Sequence, residues 1–127
     1  MGGYSSVKIS EKSYRVSYVG NDYIGFEKVK ARAKLRAGEI AANNGFDYLT
    51  FSNSEYYRGN GITYTVKMFK FSKNLTLKKN GQVICKINSA EKNRSEAESY
   101  VREKLASCTN NDWHIVSDLP KIYGHAR

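Results

Sequence analysis

Residues 13–52 read SYRVSYVGNDYIGFEKVKARAKLRAGEIAANNGFDYLTFS, and the order of patterns within them decides the fold class. Ser13–Val19 alternates large and polar side chains, as a half-buried strand does. Residues 26–43 place apolar side chains on one stripe of a helix, which predicts an amphipathic helix closed by a left-handed cap at Gly45. Residues 46–52 predict a second strand. Strand, helix and strand joined so tightly predict a right-handed crossover between two parallel neighbours.

The next stretch predicts a loop and a long strand. Residues 53–61, NSEYYRGNG, have the Asn, Ser and Gly content of a loop. Residues 62–71 predict a strand with a bulge near Met68, where the phase of the apolar side chains changes.

The last third of the chain predicts a hairpin, a helix and a strand. Asn80-Gly81 suits a type I′ turn between LTLKK and QVICKI. Ser95 and Glu98 have the spacing of a capping box, which predicts the start of the second helix. Residues 112–117 predict the final strand.

Together these patterns predict an α+β fold. We expect a two-layer sandwich in which a mixed β-sheet carries two helices on one face, in the order β-α-β-β-β-α-β. Residues 1–12 are expected to form an N-terminal segment, 13–118 a single α+β domain, and 119–127 a loose C-terminal tail.

The charge of the chain indicates the class of partner. The 127 residues carry 21 basic and 12 acidic side chains, for a formal charge of +9. This charge favours polyanions: nucleic acid, anionic lipid or an acidic polymer of the cell wall. It is equally the charge of a protein that is merely soluble. No apolar run approaches the roughly 18 residues of a membrane span.

The predicted first helix carries a comb of basic side chains at every second residue. Lys28, Arg32 and Arg36 fall on one flank of its apolar stripe, and Lys30 and Lys34 fall on the other. Because a DNA-reading helix usually concentrates its contacts on one face, this pattern favours a solvated helix on a sheet, with long stems lying along the buried stripe. The alternative is polyanion contact, for which the candidates are Lys28, Lys30, Arg32 and Lys34.

Two further groups are candidates for surface or structural roles. Tyr56, Tyr57 and Arg58 are contact-forming residues in the predicted loop and could bind a partner. The alternative is an ordinary loop whose tyrosines cover the sheet edge. Arg36 and Glu39 lie three apart on the helix, where we expect a structural pair rather than a catalytic one.

The two cysteines leave a disulfide open. Cys85 lies in the predicted strand QVICKI, and Cys108 ends the apolar stripe of the second helix. A bond would close a loop of about 23 residues and add roughly 3 kcal/mol in the chain-entropy model. The alternative is two buried thiols, because the helix could carry Cys108 beyond the reach of Cys85.

The sequence predicts no catalytic centre, metal site or cofactor. His114 and His125 lack the Cys or carboxylate spacing of a metal site. Asp112 lies beside His114, but no nucleophile motif accompanies them. We therefore expect a protein that is not an enzyme.

Residues 2–52 resemble a family of uncharacterised proteobacterial envelope lipoproteins. Sequences of that family begin with GGYS, followed by a strand with the pattern Y-R-V-S-Y/F-x-G-N. A helix that contains R-A-x-E comes next, and then the pattern N-G-F/Y-x-Y/F and a further strand. The matching residues are Gly2 to Ser5, Tyr14 to Tyr18, Gly20-Asn21, Arg36-Ala37 with Glu39, and Gly45-Phe46 with Tyr48.

The resemblance implies a location rather than a reaction. It implies a periplasmic protein of a Gram-negative cell that is lipid-anchored in its full-length form, through a cysteine upstream of the GGYS segment. The sequence begins MGGYSS and contains neither that cysteine nor a signal peptide, so we expect both in a longer natural form.

Two functions remain open from the sequence. The first is a non-enzymatic, monomeric envelope protein that binds a partner protein, a cell-wall polymer or an anionic lipid. The second is a small basic nucleic-acid-binding domain of the cytoplasm, whose affinity would fall steeply with salt.

Overall fold

The computed structural model describes residues 3–21, 23–57 and 59–126, without the side chains of residues 53, 57 and 126. The α+β class is confirmed. Within the described residues the strands are β1 (Gly3–Ser10), β2 (Ser13–Val19), β3 (Tyr48–Tyr57), β4 (Gly61–Phe69), β5 (Asn74–Lys79), β6 (Gln82–Asn88) and β7 (Trp113–Ile115). The helices are α1 (Phe26–Asn43), α2 (Arg94–Cys108) and α3 (Leu119–Tyr123), and 3₁₀ turns flank α3 at Val116–Asp118 and Gly124–Ala126.

The chain divides into two compact units. Unit one contains the described residues up to Phe69 and those from His114 onwards, and unit two is Lys70–Trp113. The expected single sheet is corrected, because β5 and β6 form a two-stranded sheet of their own. The single domain over 13–118 stays a prediction.

The five-stranded sheet has the strand order β1-β2-β4-β3-β7. Because β4 pairs antiparallel with both β2 and β3, these two strands run in the same direction. The predicted crossover through α1 is present, but β4 lies between the two parallel strands. The reason is local: Tyr57 and Gly61, which lie only four positions apart in the sequence, pair with each other, so β3 and β4 form a hairpin.

Helix α1 covers one face of this sheet, as a two-layer arrangement requires. Its buried residues include Val29, Ala33, Ala37 and Ile40, and it packs on β2 and β4. The bounds and the cap follow the prediction. Gly45 has φ +77°, Phe46 N–H donates to Ala41 C=O, and Gly45 N–H donates to Ala42 C=O, which together form a Schellman motif.

The described parts of both predicted terminal segments contain regular secondary structure. The predicted N-terminal segment contains β1, which pairs with β2 and is exposed along its whole length. The predicted loose tail contains α3, which packs on α1 and buries Leu119 completely. Leu119 drives this docking, because a leucine removed from water stabilises the fold by about 2 kcal/mol.

The structure differs from the prediction in the position of the loop and of the bulge. Residues 54–57 belong to β3 rather than to a loop, and the register shift lies in β3 between Ser52 and Glu55. No shift accompanies Met68, whose pairing with Leu49 continues the ladder. The change of apolar phase after Met68 arises because β4 ends at Phe69.

Unit two is a hairpin with a helix packed on β6. Asn80 and Gly81 both have positive φ, as the predicted type I′ turn requires. Helix α2 is capped by Asn93, whose side chain accepts from Glu96 N–H at 2.9 Å, so the capping residue lies two positions before the predicted Ser95. Cys85 and Cys108 are joined by a disulfide with their Cα atoms 5.9 Å apart.

None of the helices in the described part of the chain is long and apolar enough to cross a bilayer.

Candidate functional site

One flank of α1 carries a partly exposed row of rings and ammonium groups. We call it the aromatic–lysine strip, and its members are Phe26, Lys30, Lys34, Phe51, Tyr56 and Tyr123. Lys34 and Lys30 follow Phe26 at intervals of four residues, so these three lie on one side of the helix. Strand β3 contributes Phe51 and Tyr56, and α3 contributes Tyr123.

The distances show how closely the strip is organised. Lys34 Nζ lies 5.6 Å from the ring centroids of Phe51, Tyr64 and Tyr123. Lys30 Nζ lies 5.4 Å from the centroid of Phe26. These are cation–π distances, so each ammonium group is held beside rings instead of moving freely in solvent.

The two ends of the strip differ in exposure. Tyr56 is 61% exposed and Phe26 is 39% exposed, and their ring centroids lie 5.2 Å apart. Phe51, Tyr123 and both lysines are half-buried. The strip therefore offers open ring surface near the start of α1 and becomes more enclosed toward Tyr123.

The loop before α1 fixes where Phe26 begins the helix. Asn60 C=O accepts a hydrogen bond from Gly20 N–H at 2.7 Å. The Asn60 side chain donates to Ile24 C=O at 2.6 Å. These two bonds tie the turn between β3 and β4 to the loop at 20–25, and so hold the open end of the strip in place.

A carboxylate accompanies the lysines. Lys30 Nζ pairs with Glu27 Oε1 at 2.7 Å, and the Glu27 side chain is 89% exposed. The hydrogen bond to Glu27 raises the pKa of Lys30. Lys30 is therefore cationic at every physiological pH, and its exposed partner can be displaced by a competing anion.

Tyr64 lies beneath the strip and is nearly buried, at 6% exposed. Burial, followed by the charges of Tyr56 and Tyr123, raises the pKa of Tyr64 to about 12. The phenol is neutral at physiological pH, so its ring supports Phe51 and Lys34 without adding charge.

On the other flank of α1, the arginines contact tyrosines of the sheet. Arg32 Nη1 donates to the Tyr18 hydroxyl at 2.6 Å. Arg36 Cζ lies 5.9 Å from the ring centroid of Tyr4, which in turn packs on Tyr18 at 4.7 Å. The arginines on this side tie the helix to β1 and β2.

The contacts of Lys30 and Lys34 on one side, and of Arg32 and Arg36 on the other, follow the predicted division of the comb. Of the four polyanion candidates, Lys30 and Lys34 belong to the strip, and Arg32 belongs to the opposite flank. Lys28 is exposed. The four do not form one basic face.

The remaining sequence candidates have mixed outcomes. Tyr56 is on the surface as predicted, although on a strand; the Tyr57 side chain and all of Arg58 lie outside the described residues. The pairing of Arg36 with Glu39 stays a prediction. The bond between Cys85 and Cys108, which the sequence left open, is present.

The histidines take no part in a metal-binding group within the described chain, where no cluster of three or more His, Cys, Asp or Glu residues could hold an ion. The His114 ring packs on Phe51 at 5.4 Å, beside the strip. His125 is exposed in the turn after α3.

Sequence reasoning missed three members of the strip. The sequence places Phe26 on the apolar stripe of the helix, Phe51 only in a strand, and Tyr123 in a loose tail. The spacing of Phe26, Lys30 and Lys34 was a signal that could have found one side of the strip. Tyr123 carried no such signal, because its approach depends on the docking of α3.

The geometry describes a partly exposed surface strip made of rings and cations. Aromatic faces pack on sugar rings or bases, and ammonium groups donate hydrogen bonds to anionic oxygens. Comparison of the chain with protein-family models, curated proteins and solved structures finds no match, so the function is argued from this chemistry.

Proposed function

We propose that this protein is a non-enzymatic binding domain of the bacterial envelope that takes an anionic cell-wall polymer on the aromatic–lysine strip. The observation that carries the proposal is the strip itself: partly exposed rings interleaved with two held ammonium groups on a chain of net charge +9.

A polymer of sugar rings bearing carboxylates matches the strip in both respects. The exposed faces of Tyr56 and Phe26 suit the flat apolar side of a sugar ring. Lys30 can exchange its Glu27 partner for a carboxylate of the ligand, and Lys34 lies one helical turn further along. A row of rings and charges suits an extended ligand better than a compact one.

The envelope part of the proposal has two supports. The disulfide between Cys85 and Cys108 favours an oxidising compartment such as the periplasm. The resemblance of residues 2–52 to envelope lipoproteins favours the same compartment, with a lipid anchor in the full-length form.

The second candidate ligand is single-stranded nucleic acid in the cytoplasm. Stacking rings beside lysines are the usual elements of such a site, and the net charge is suitable. The disulfide weighs against it, because cytoplasmic thiols are generally kept reduced.

The test compares two doubly substituted proteins that lose the same charge. Lys30→Gln with Lys34→Gln alters the strip, and Lys12→Gln with Lys67→Gln alters cations elsewhere in unit one. Binding to purified peptidoglycan is measured by co-sedimentation, and binding to polygalacturonate and to oligothymidylate by fluorescence titration over a range of salt concentrations.

We expect the strip variant to stay folded by circular dichroism, to bind peptidoglycan about tenfold more weakly, and to show a shallower salt dependence. The control pair should lose much less affinity. Equal losses in both variants would reduce the interaction to net charge and overturn the proposal. Tighter binding of oligothymidylate than of either glycan would favour the second candidate instead.

A further inference from the structure

The tip of the β5–β6 hairpin in unit two combines exposed aliphatic side chains with lysines. Val83 is 48% exposed and Ile84 is 40% exposed, at adjacent positions just after the turn. Lys78, Lys79 and Lys86 are exposed around them. Lys78 lies directly opposite Val83 in the ladder, so charge and apolar surface share one end of the hairpin.

The disulfide gives this tip a rigid base. Cys85 follows Ile84 directly, is 8% exposed, and is bonded to Cys108 at the end of α2. Leu77, opposite Cys85 in the ladder, is 2% exposed. The disulfide therefore anchors β6 at the residue directly after its apolar pair, and Val83 and Ile84 are exposed on the turn side of that anchor.

We propose that this tip, Lys78, Lys79, Val83, Ile84 and Lys86, docks on an anionic lipid surface. Exposed lysines near a bilayer are attracted to acidic headgroups, and adjacent aliphatic side chains enter the boundary between headgroups and acyl chains. The proposal is independent of the ligand of the aromatic–lysine strip, because it rests on other residues in the other unit.

The chemistry of the tip selects a lipid surface over the other polyanions. The five residues include no aromatic ring, which a sugar or base would stack on. Two neighbouring aliphatic side chains add nothing to the binding of a hydrophilic polymer, yet they are what a bilayer boundary accepts. The carboxylate of Asp112 lies 3.8 Å from Lys79 Nζ, and both side chains are largely exposed, so headgroup phosphates can replace it.

The experiment measures co-sedimentation of the disulfide-intact protein with phosphatidylcholine vesicles, with and without phosphatidylglycerol. We expect binding only to the phosphatidylglycerol vesicles, decreasing as salt is raised. Val83→Ser with Ile84→Ser should lower the affinity at least tenfold. Lys78→Gln with Lys79→Gln should lower it about fivefold per lysine.

Two matched controls test whether the effect is specific to the hairpin tip. Ile122→Ser removes an aliphatic side chain that is 49% exposed in unit one, and Lys30→Gln with Lys34→Gln removes two charges of the strip. Both should leave vesicle binding unchanged, and the second separates this proposal from that for the strip. Thiol titration of each hairpin variant checks that the Cys85–Cys108 bond has formed.

Failure to bind phosphatidylglycerol vesicles would overturn the proposal. So would an equal loss in the hairpin variants and in the controls, since net charge alone would then account for binding. If Val83→Ser with Ile84→Ser binds as the parent does while the lysine variant does not, the attraction is purely electrostatic and the insertion of the tip is wrong.

Discussion

At the scale of single residues, Tyr64 shows how burial changes the chemistry of the candidate site. Its ring is packed against Phe51 at 5.3 Å and beside Lys34, and little of it reaches solvent. Burial raises the pKa of this phenol from 10.0 to about 12. The folded protein therefore holds the proton more tightly than the unfolded chain does.

This difference predicts a loss of stability at high pH. Below pH 10.0 both states keep the Tyr64 proton, so the group has no effect; between 10.0 and about 12 the unfolded chain releases it first. Because the folded state then binds more protons, the free energy of unfolding falls as pH rises, by up to about 1.4 kcal/mol per pH unit.

Urea denaturation of the parent and of Tyr64→Phe at about pH 8 and about pH 11 measures the Tyr64 contribution. The parent should lose more stability between the two conditions than the variant, which has no proton to release at this site. Identical losses would show that Tyr64 is not the group responsible.

At the scale of elements, helix α1 was predictable and its neighbour α3 was not. The apolar stripe of α1 is strongly periodic and its cap has a local signature at Gly45, so both of its ends could be read along the chain. Helix α3 has only five residues and a single fully buried side chain, Leu119. It forms because that leucine meets α1 at Gly38.

The contact at Gly38 predicts a specific sensitivity. A Cβ atom there would lie 2.7 Å from Leu119 Cδ1 and 3.2 Å from Leu119 Cβ. Gly38→Ala should therefore destabilise the protein by about 1–3 kcal/mol through overpacking, although alanine is by itself the better helix former.

The matched control is Gly124→Ala, where an added Cβ meets no atom within 4 Å and the backbone has a helical φ of −59°. Thermal denaturation should show a lower midpoint for Gly38→Ala and little change for Gly124→Ala. A parent-like or raised midpoint for Gly38→Ala would mean that α3 yields to the methyl group at no cost.

At the scale of the whole molecule, the disulfide belongs to one of two compact units. The sequence raised the concern that α2 would carry Cys108 past Cys85. From Cys85 to Asn93 the extended chain spans at most about 26 Å, whereas α2 returns about 21 Å. The length of the helix therefore nearly offsets the length of the strand and loop, and the Cα atoms of Cys85 and Cys108 lie 5.9 Å apart.

Reduction should act on unit two alone. Lys70–Trp113 is a short segment with a small core, so loss of a bond of sequence separation 23 should cost it about 3 kcal/mol. Hydrogen exchange in dithiothreitol should show reduced protection of amides in β5, β6 and α2.

The amides of β2, β4 and α1 provide the internal control in the same experiment, and their protection should be unchanged. Cys85→Ser with Cys108→Ser should reproduce the pattern without reductant. Uniform loss of protection across both units would contradict their independence.

The candidate site was only partly readable from the sequence. The lysines at 30 and 34 could be assigned to one flank because helical spacing is local. Tyr56 could be assigned to the surface, but its contact with Phe26 depends on the bulge between Ser52 and Glu55. Because a shift of one residue exchanges the two faces of a strand, the position of a bulge decides which aromatic side chains reach the strip.

Local sequence patterns were sufficient to predict the α+β class, the bounds and cap of α1 and the Asn80-Gly81 turn, because each follows from interactions within a few residues of the chain. Long-range packing places β4 between β2 and β3, divides the chain into two units, brings Tyr123 to Lys34 and joins Cys85 to Cys108. These features depend on which surfaces bury one another across long separations, and local periodicity does not encode that choice.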